Sequence, residues 1–387
     1  KIITIRPDSI DDLRKVAKTA MGGTSAEAGG DLMADLVVTA AQLVAGERDG
    51  NLHISTEDVR MSKRGVGSIG DSRIIAGLII EKRLELDRLP KSVDAGKVLV
   101  LSCPLQIEST TRDVEIEVED AEQWASFMDA EEEKLQLKTQ QVINSGASLV
   151  FTAEGVEARI LHALVDAGIF VLGGLEKAGA EDIALATGAM VIDHLDDISQ
   201  YILGDFSELK IEILEGAEGR RERIHLLVGQ QTGIATIDVG GGDGVASEEV
   251  IRGLYDALCS VTSAMETGEV LTGGGSLHMA ASLAIKEAAE NHPGRERLAM
   301  EAFSRALESV PATLGENAGV NRLDCLLELR ALHRAGNSEA GVMRDGKAGI
   351  IEEALASAET LSHAIEAACE TACGLLRVDQ VISARGD

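Results

Sequence analysis

A chain of 387 residues is longer than one typical domain and reads as two or three. Acidic residues outnumber basic ones 65 to 36, a formal charge of −29 spread along the chain, which argues against neutralising the phosphates of a nucleic acid. Hydrophobic residues make up 45% of the chain and supply real cores. No apolar run approaches the roughly 18 residues of a membrane helix, so a soluble, cytoplasmic protein with no membrane partner is expected. The first sixteen residues carry no basic segment followed by an apolar one and no cleavage site, so nothing marks secretion. The chain opens on Lys1 rather than Met, as a fragment or a processed product would. Five cysteines (Cys103, Cys259, Cys325, Cys369, Cys373) are far apart except the last two, which share a helix face; no metal site or disulfide is expected from them.

In chain order, residues 8–46 predict helix, with Asp8 and Ser9 as N-cap candidates. Leu13, Val16, Ala17 and then Leu32, Leu36, Val37, Ala40 recur at helical spacing around a Gly22-Gly23 break. From about 51 to 240 short β-branched runs alternate with helical stretches such as 121–144 and 156–167. The runs are 73–80, 97–101, 148–151, 169–172, 190–192, 210–213, 224–228 and 234–239. That alternation predicts an α/β domain whose strands before helices are parallel. From Val245 long amphipathic helices return, at 245–266, 276–290, 295–309, 320–335 and 350–376, interrupted by glycines at 272–275. An α/β block between two helical blocks reads as an insertion.

Two glycine stretches invite a ligand. Ile234 to Val239 runs into Gly240-Gly-Gly-Asp-Gly244 and then a helix, a layout that lets a phosphate approach backbone at a helix N-terminus. No G-x-G-x-x-G can be read there, and the chain is still helical where a second strand should end in an acid; a sharp interdomain turn fits better than dinucleotide binding. The following helix carries apolar Leu254, Leu258, Val261 and Met265 on one stripe, with Glu249, Arg252, Asp256, Ser260 and Ser263 roughly opposite. Alone, Asp256 is a solvated carboxylate. Twelve residues on begins Gly268-Glu-Val-Leu-Thr-Gly273-Gly274-Gly275, a second place where backbone can approach a ligand. A carboxylate beside a glycine loop can orient a water and cradle a nucleotide.

These residues carry a resemblance. Leu254-Tyr-Asp256-Ala-Leu, Gly268 to Gly275, Arg297 to Phe303, Leu307 to Pro311, Glu316-Asn-Ala-Gly319, Leu327 to Arg330 and Leu375 to Asp379 resemble the C-terminal half of group II chaperonin subunits, the archaeal thermosome and eukaryotic CCT family. Lys18 to Glu27 resembles the family's first hinge segment. Arg112 to Ile116 with Trp124 and Phe127 to Lys134 resembles its helical protrusion, and Ala186 to Ala189 with Leu195-Asp-Asp197 a further apical stretch. The resemblance implies a multidomain α+β and α/β fold: a partial helical equatorial domain, an intermediate hinge domain, and an inserted α/β apical domain with a helical protrusion. The boundaries it implies are 1–17 (end of the N-terminal equatorial segment), 18–70 and 229–266 (intermediate), 71–228 (apical) and 267–387 (C-terminal equatorial).

The resemblance implies an ATP-dependent protein-folding subunit in a double ring of homologous subunits, binding unfolded client proteins. Asp256 takes the place of the carboxylate that activates the attacking water. Gly274 and Gly275, with Gly273 before them, match the loop lining ribose and base. Three departures stand out. No Gly-Asp-Gly-Thr-Thr phosphate loop occurs in the chain, so that loop and the Mg2+ ligands are expected in a preceding segment, and these residues alone are expected to be inactive as an ATPase. Thr24 stands where the family commonly has a lysine that senses the γ-phosphate. Glu352, in Ile350-Ile-Glu-Glu353, resembles the ribose-contacting acid, whereas ungapped counting back from Leu375 reaches Ala356. Trp124, Phe127 and Met128 form an i, i+3, i+4 apolar cluster, which fits either an amphipathic helix packed on its own domain or a client-binding and lid surface. An ATP-independent holdase and a stand-alone nucleotide-dependent α/β enzyme are the alternatives. Arg385-Gly-Asp387 reads as a chance tripeptide.

Overall fold

Helical periodicity is realised first in α1 (Ile10–Met21), whose Leu13, Val16, Ala17 and Met21 are buried while Asp11 and Asp12 sit in the first turn and Lys18 in the last, as the helix dipole favours. The computed structural model describes residues 2–84, 86, 88–107, 121–216, 219–229, 233–242 and 244–378. The protrusion motif Arg112–Ile116, Asp379 and Arg385–Asp387 lie outside the described residues. Ahead of α1 runs β1 (Ile3–Thr4). Ser9 flanks α1 without a side-chain capping bond, and Gly23, at φ 78°, turns the chain away.

There follow α2 (Gly30–Val44), the hairpin of β2 (Gly46–Arg48) and β3 (Asn51–His53), β4 (Val59–Lys63), β5 (Arg73–Ile75), β6 (Gly77–Glu81) and β7 (Ser92–Leu101). Next come α3 (Ala121–Asn144), β8 (Leu149–Thr152), α4 (Ala158–Asp166), β9 (Phe170–Leu172), α5 (Lys177–Thr187), β10 (Val191–Ile192), β11 (Gly204–Gly216), β12 (Gly219–Leu227) and β13 (Ala235–Val239). The C-terminal part holds α6 (Val245–Thr267), β14 (Glu269–Thr272), α7 (Ser276–Glu290), α8 (Arg295–Asn317), α9 (Arg322–Arg334), β15 (Ala340–Val342), β16 (Ala348–Ile350), β17 (Leu355–Ser357) and α10 (Ala358–Leu376).

Contacts divide the chain into two units. The flanking unit comprises Lys1–Ala41, Gly46–Thr56 and Glu248–Asp387; the inserted unit comprises Gln42–Ala45 and Glu57–Ser247. Of the expected hinge segments, residues 57–70 and 229–247 therefore pack with the inserted unit.

In the inserted unit a seven-stranded sheet runs β6-β12-β11-β7-β8-β9, with β10 also on β7. The strands that precede or follow helices, β7, β8, β9 and β10, are parallel, as their alternation with α3, α4 and α5 predicts. Side chains alternate across the sheet. Val98, Val100, Leu149, Phe151, Phe170 and Leu172 face Ile183 and Ala184 of α5. Leu99, Leu101, Val150 and Val171 face Leu135 and Val142 of α3 and Ile160 and Leu164 of α4. Both faces are covered, which is why these strands are continuously apolar rather than alternating.

The single run expected at 73–80 is two strands. Beyond Ala76 the chain changes sheets: β5 pairs with β13 in a three-stranded sheet (β4-β13-β5), and β6 pairs with β12. Gly77 permits the change, since at φ 142° a Cβ there would stand 2.0 Å from the Leu226 carbonyl oxygen. The helix expected over 350–376 starts only at Ala358. Residues 355–357 form β17 against β14, and Ser357 caps the helix by accepting from Thr360 N–H at 3.3 Å.

The two sheets of the inserted unit meet at a charged seam. Arg223 and Asp238 are both fully buried, joined by Nη2–Oδ1 at 2.6 Å and Nη1–Oδ2 at 3.2 Å. Arg73 Nε reaches Asp238 at 3.1 Å, and Arg73 and Arg64 each reach Glu212 at 2.7 Å. Arg223 also donates to Ser62 at 2.7 Å, and His225 Nε2 lies 3.0 Å from Glu212. Burial holds the His225 imidazole below its ordinary pKa and outweighs the Glu212 carboxylate. In the flanking unit Glu308 of α8 plays a similar part, accepting from Lys286 of α7 at 2.6 Å, Arg330 of α9 at 2.9 Å and Ser282 at 3.0 Å.

Removing one partner leaves a buried charge alone, so Asp238→Ala should cost about 3–5 kcal/mol, and Arg223→Met with Asp238→Leu together much less than the two single changes summed. Urea unfolding followed by circular dichroism measures both. Because the folded imidazole is depressed, the unfolded chain takes up the proton first as pH falls. His225 should therefore cost stability below about pH 6.5, and His225→Gln should flatten that part of the stability profile.

Candidate functional site

Three stretches far apart in sequence converge in the flanking unit on a cleft of about 580 Å3, within the range of small-molecule sites. Lys18, Thr19 and Gly22 come from the end of α1 and the turn after it, Gly274 from the turn between β14 and α7, and residues 342–344 and 350–354 from the β15–β16 hairpin and the approach to β17. Of the three glycines Gly273, Gly274 and Gly275, the cleft is lined by Gly274. Gly273 is buried beneath Ala354, its N–H donating to the Ala354 carbonyl at 2.9 Å, and Gly275 packs on Pro311.

The glycines are required by close packing. Gly274 has φ 63°, and a Cβ on it would meet Ile351 Cδ1 at 2.3 Å and the Val342 carbonyl oxygen at 2.7 Å, while its own carbonyl accepts from Val342 N–H at 2.8 Å. The β14–β17 ladder separates the two candidate positions, Glu352 and Ala356. Ala356 sits opposite Leu271 within the β14–β17 pairing, whereas Glu352 is exposed and lines the cleft.

Asp256 does not line it. It is exposed on α6, one turn beyond Gly253, where a Cβ would meet Thr24 Oγ1 at 2.7 Å and Ala26 Cβ at 2.9 Å. Gly253, one turn before Asp256 on α6, thus lies against the Thr24–Ala26 segment. The buried stripe Leu254, Leu258, Val261 and Met265 is as expected. At the other glycine run, Gly240 donates its N–H to Ser72 Oγ at 2.9 Å, and a Cβ there would stand 2.2 Å from the Ser68 carbonyl oxygen. That glycine serves backbone packing within the inserted unit.

Charges at the cleft were missed by sequence reasoning. Lys18 pairs with Asp31 and holds its carboxyl below the ordinary value. Arg344 pairs with Glu27, whose other oxygen accepts from Gly23 N–H at 2.8 Å. The spacing Thr24-x-x-Glu27 is a capping-box signature that marks Glu27; nothing in sequence joins it to Arg344, 317 positions away.

In the inserted unit, α3 carries a second candidate surface. Trp124, Phe127 and Met128 are 56%, 48% and 39% exposed, and Leu137 is 60% exposed. Among the described residues the helix does not bury this cluster on its own unit.

The model of the TCP-1/cpn60 chaperonin family matches residues 2–386. The chain belongs to that family. It is 33% identical to a thermosome subunit of Methanopyrus kandleri, over 98% of this chain and 70% of that protein. It is 34% identical to the thermosome subunit beta of Archaeoglobus fulgidus, over 99% of this chain and 70% of that one. The open-state monomer of a group II chaperonin from Methanococcoides burtonii superposes with a TM-score of 0.66 at 30% identity, covering 97% of this chain and 88% of that one. The chain is thus a chaperonin subunit with the group II fold, and among its described residues no helix is long and apolar enough to cross a membrane.

Gly274→Ala should destabilise the flanking unit by about 1–3 kcal/mol, because strain and overlap act together. Gly374→Ala, in open space on α10, should cost nothing. Urea midpoints of the two variants check this.

Proposed function

We propose that this chain supplies the client-facing surface and part of the nucleotide site of an ATP-dependent chaperonin subunit, whose hydrolysis cycle closes a double ring of homologous subunits around an unfolded protein. The observation that carries the reading is the cleft, which gathers Thr19, Gly22, Gly274 and Glu352 from separate stretches of the chain on one lining. In this reading Glu352 accepts from the ribose hydroxyls and the Gly274 turn lies against the sugar and base. Asp256 accepts the proton of the water that attacks the γ-phosphorus. Its exposure on α6 beside the Thr24–Ala26 segment suits a group that meets substrate when the site closes.

Magnesium would neutralise the phosphate oxygens. Among the described residues no three His, Cys, Asp or Glu side chains converge as ligands to a metal ion, so no step is assigned to it here. The 387 residues contain no Gly-Asp-Gly-Thr-Thr.

A polypeptide of these residues alone should therefore show no magnesium-dependent ATPase above background in a phosphate-release assay. In a subunit that also carries the phosphate loop, Asp256→Asn should lower kcat by about 10²–10⁴-fold with nucleotide Kd little changed. An unchanged kcat would remove Asp256 from the reaction.

A second reading, an ATP-independent holdase, is favoured by the exposed Trp124, Phe127 and Met128. If it holds, the polypeptide suppresses aggregation of a thermally unfolding client without ATP, and Trp124→Ser with Phe127→Ser abolishes most of that suppression. Suppression that is absent, or indifferent to these changes, argues against it.

A further inference from the structure

Arg344 stands on the β15–β16 hairpin, and its side chain is 91% exposed. It lines the same cleft as Gly274 and Glu352. Among the described residues it pairs with Glu27, on the segment that joins α1 to α2. Glu27 is itself fixed: one carboxylate oxygen faces Arg344, and the other takes the Gly23 N–H at 2.8 Å. An ion pair this exposed contributes little to stability, so folding alone gives no reason for holding a guanidinium there.

The remaining charges on the lining sharpen the point. Lys18 is the other cation and is engaged by Asp31, while Glu352 and Glu353 are acids. A chain of net charge −29 repels a polyphosphate at long range. Binding one then depends on cations at the cleft itself. A guanidinium presents a planar fork that matches two phosphate oxygens, which an ammonium does not.

We propose that Arg344 grips the phosphate chain of the bound nucleotide, and that Glu27 is its resting counter-ion, released when phosphate oxygens take its place. This rests on the nucleotide reading of the cleft. The exchange is non-covalent: the guanidinium leaves one carboxylate oxygen and donates to phosphate oxygens instead. Glu27 keeps its bond from Gly23, so the α1–α2 segment is not undone. Glu27 thereby sets the affinity, because ligand must displace it.

The two residues have opposite signs, which makes the test sharp. Binding of ADP, ATP and adenosine to the 387-residue polypeptide is measured by isothermal titration calorimetry at low and moderate salt. Arg344→Gln should weaken ADP and ATP by about tenfold or more and leave adenosine unchanged. Glu27→Gln keeps an acceptor for Gly23 N–H but removes the competing charge, and should tighten ADP and ATP by about two- to fivefold. The double variant should resemble Arg344→Gln alone. Added salt should weaken ADP binding less in Arg344→Gln than in the parent.

If the parent binds ADP and neither single change moves its Kd, the assignment to Arg344 is wrong and the nucleotide reading stands. If adenosine weakens in parallel with ADP, Arg344 acts on the nucleoside or on cleft shape, and the phosphate assignment is again wrong. If the parent binds neither ADP nor adenosine, the nucleotide reading of this cleft falls and the proposal with it. Circular dichroism of each variant checks that it is folded; the exposure of the Arg344–Glu27 pair predicts unaltered spectra.

Discussion

The inserted unit depends on one buried ion pair, Arg223 with Asp238. Glu212 sits directly opposite Arg223 in the β11–β12 ladder, while Asp238 sits opposite Ser62 on one side and Arg73 on the other. A one-residue slip in either sheet would send one member of the seam to the wrong face. The pair therefore sets the register of two sheets as well as joining them. Taking two such charges out of water costs several kcal/mol per ion unless each oxygen and N–H finds a partner. Here they do: among the described residues no buried side-chain nitrogen or oxygen lacks a hydrogen bond. Registry is the best-attested use of a buried polar group, and the ladder positions of these residues are where such a role would be seen.

The parallel part of the sheet was legible because its physics is local. Stretches such as 98–101 and 149–151 are apolar without interruption, and the helices between the strands have their own period, so the alternating pattern and the parallel pairing follow from order along the chain. The seam was not legible. Arg223, Asp238, Glu212 and Arg73 are ordinary strand residues in sequence, and only pairing over as many as 165 positions turns them into a cluster. The same limit explains the misplaced start of α10. Residues 350–357 have a helical pattern, but the open hydrogen-bonding edge of β14 outcompetes local propensity there, and Ser357 caps the helix one residue later.

The cleft divides in the same way. Gly274 drew notice because a glycine triplet after a strand is conspicuous, and its φ of 63° and the approach of Val342 show that this turn is held in place by the hairpin. Whatever ligand lies there meets a turn already locked by tertiary contacts, which is the preorganisation that tight binding needs. Glu352 could not be chosen over Ala356 by counting, because counting from Leu375 assumes α10 has the family's length. The β14–β17 register places Ala356 opposite Leu271 and leaves Glu352 outside the ladder. Arg344 had no signal at all, being a single cation in a turn whose partner is on the far side of the sequence.

Charge explains why these few cations matter. With 36 basic residues against 65 acidic ones, cations are scarce. Several of them are drawn inward: Arg223, Arg73 and Arg64 to the seam, and Lys286 and Arg330 to Glu308. For Glu308, burial alone would raise the carboxyl's pKa, but the donors from Arg330, Lys286 and Ser282 outweigh it and the net shift is downward. Glu308 stays ionised and the helices α7, α8 and α9 stay joined at neutral pH. The outer surface is left strongly acidic as a result. On such a surface a resting carboxylate beside each exposed cation is the expected state, and an anionic ligand gains only the difference between its own contacts and those it displaces. Lys18 with Asp31 and Arg344 with Glu27 both have this form, so in the proposed nucleotide site affinity would be set by exchange of counter-ions as much as by the cations themselves.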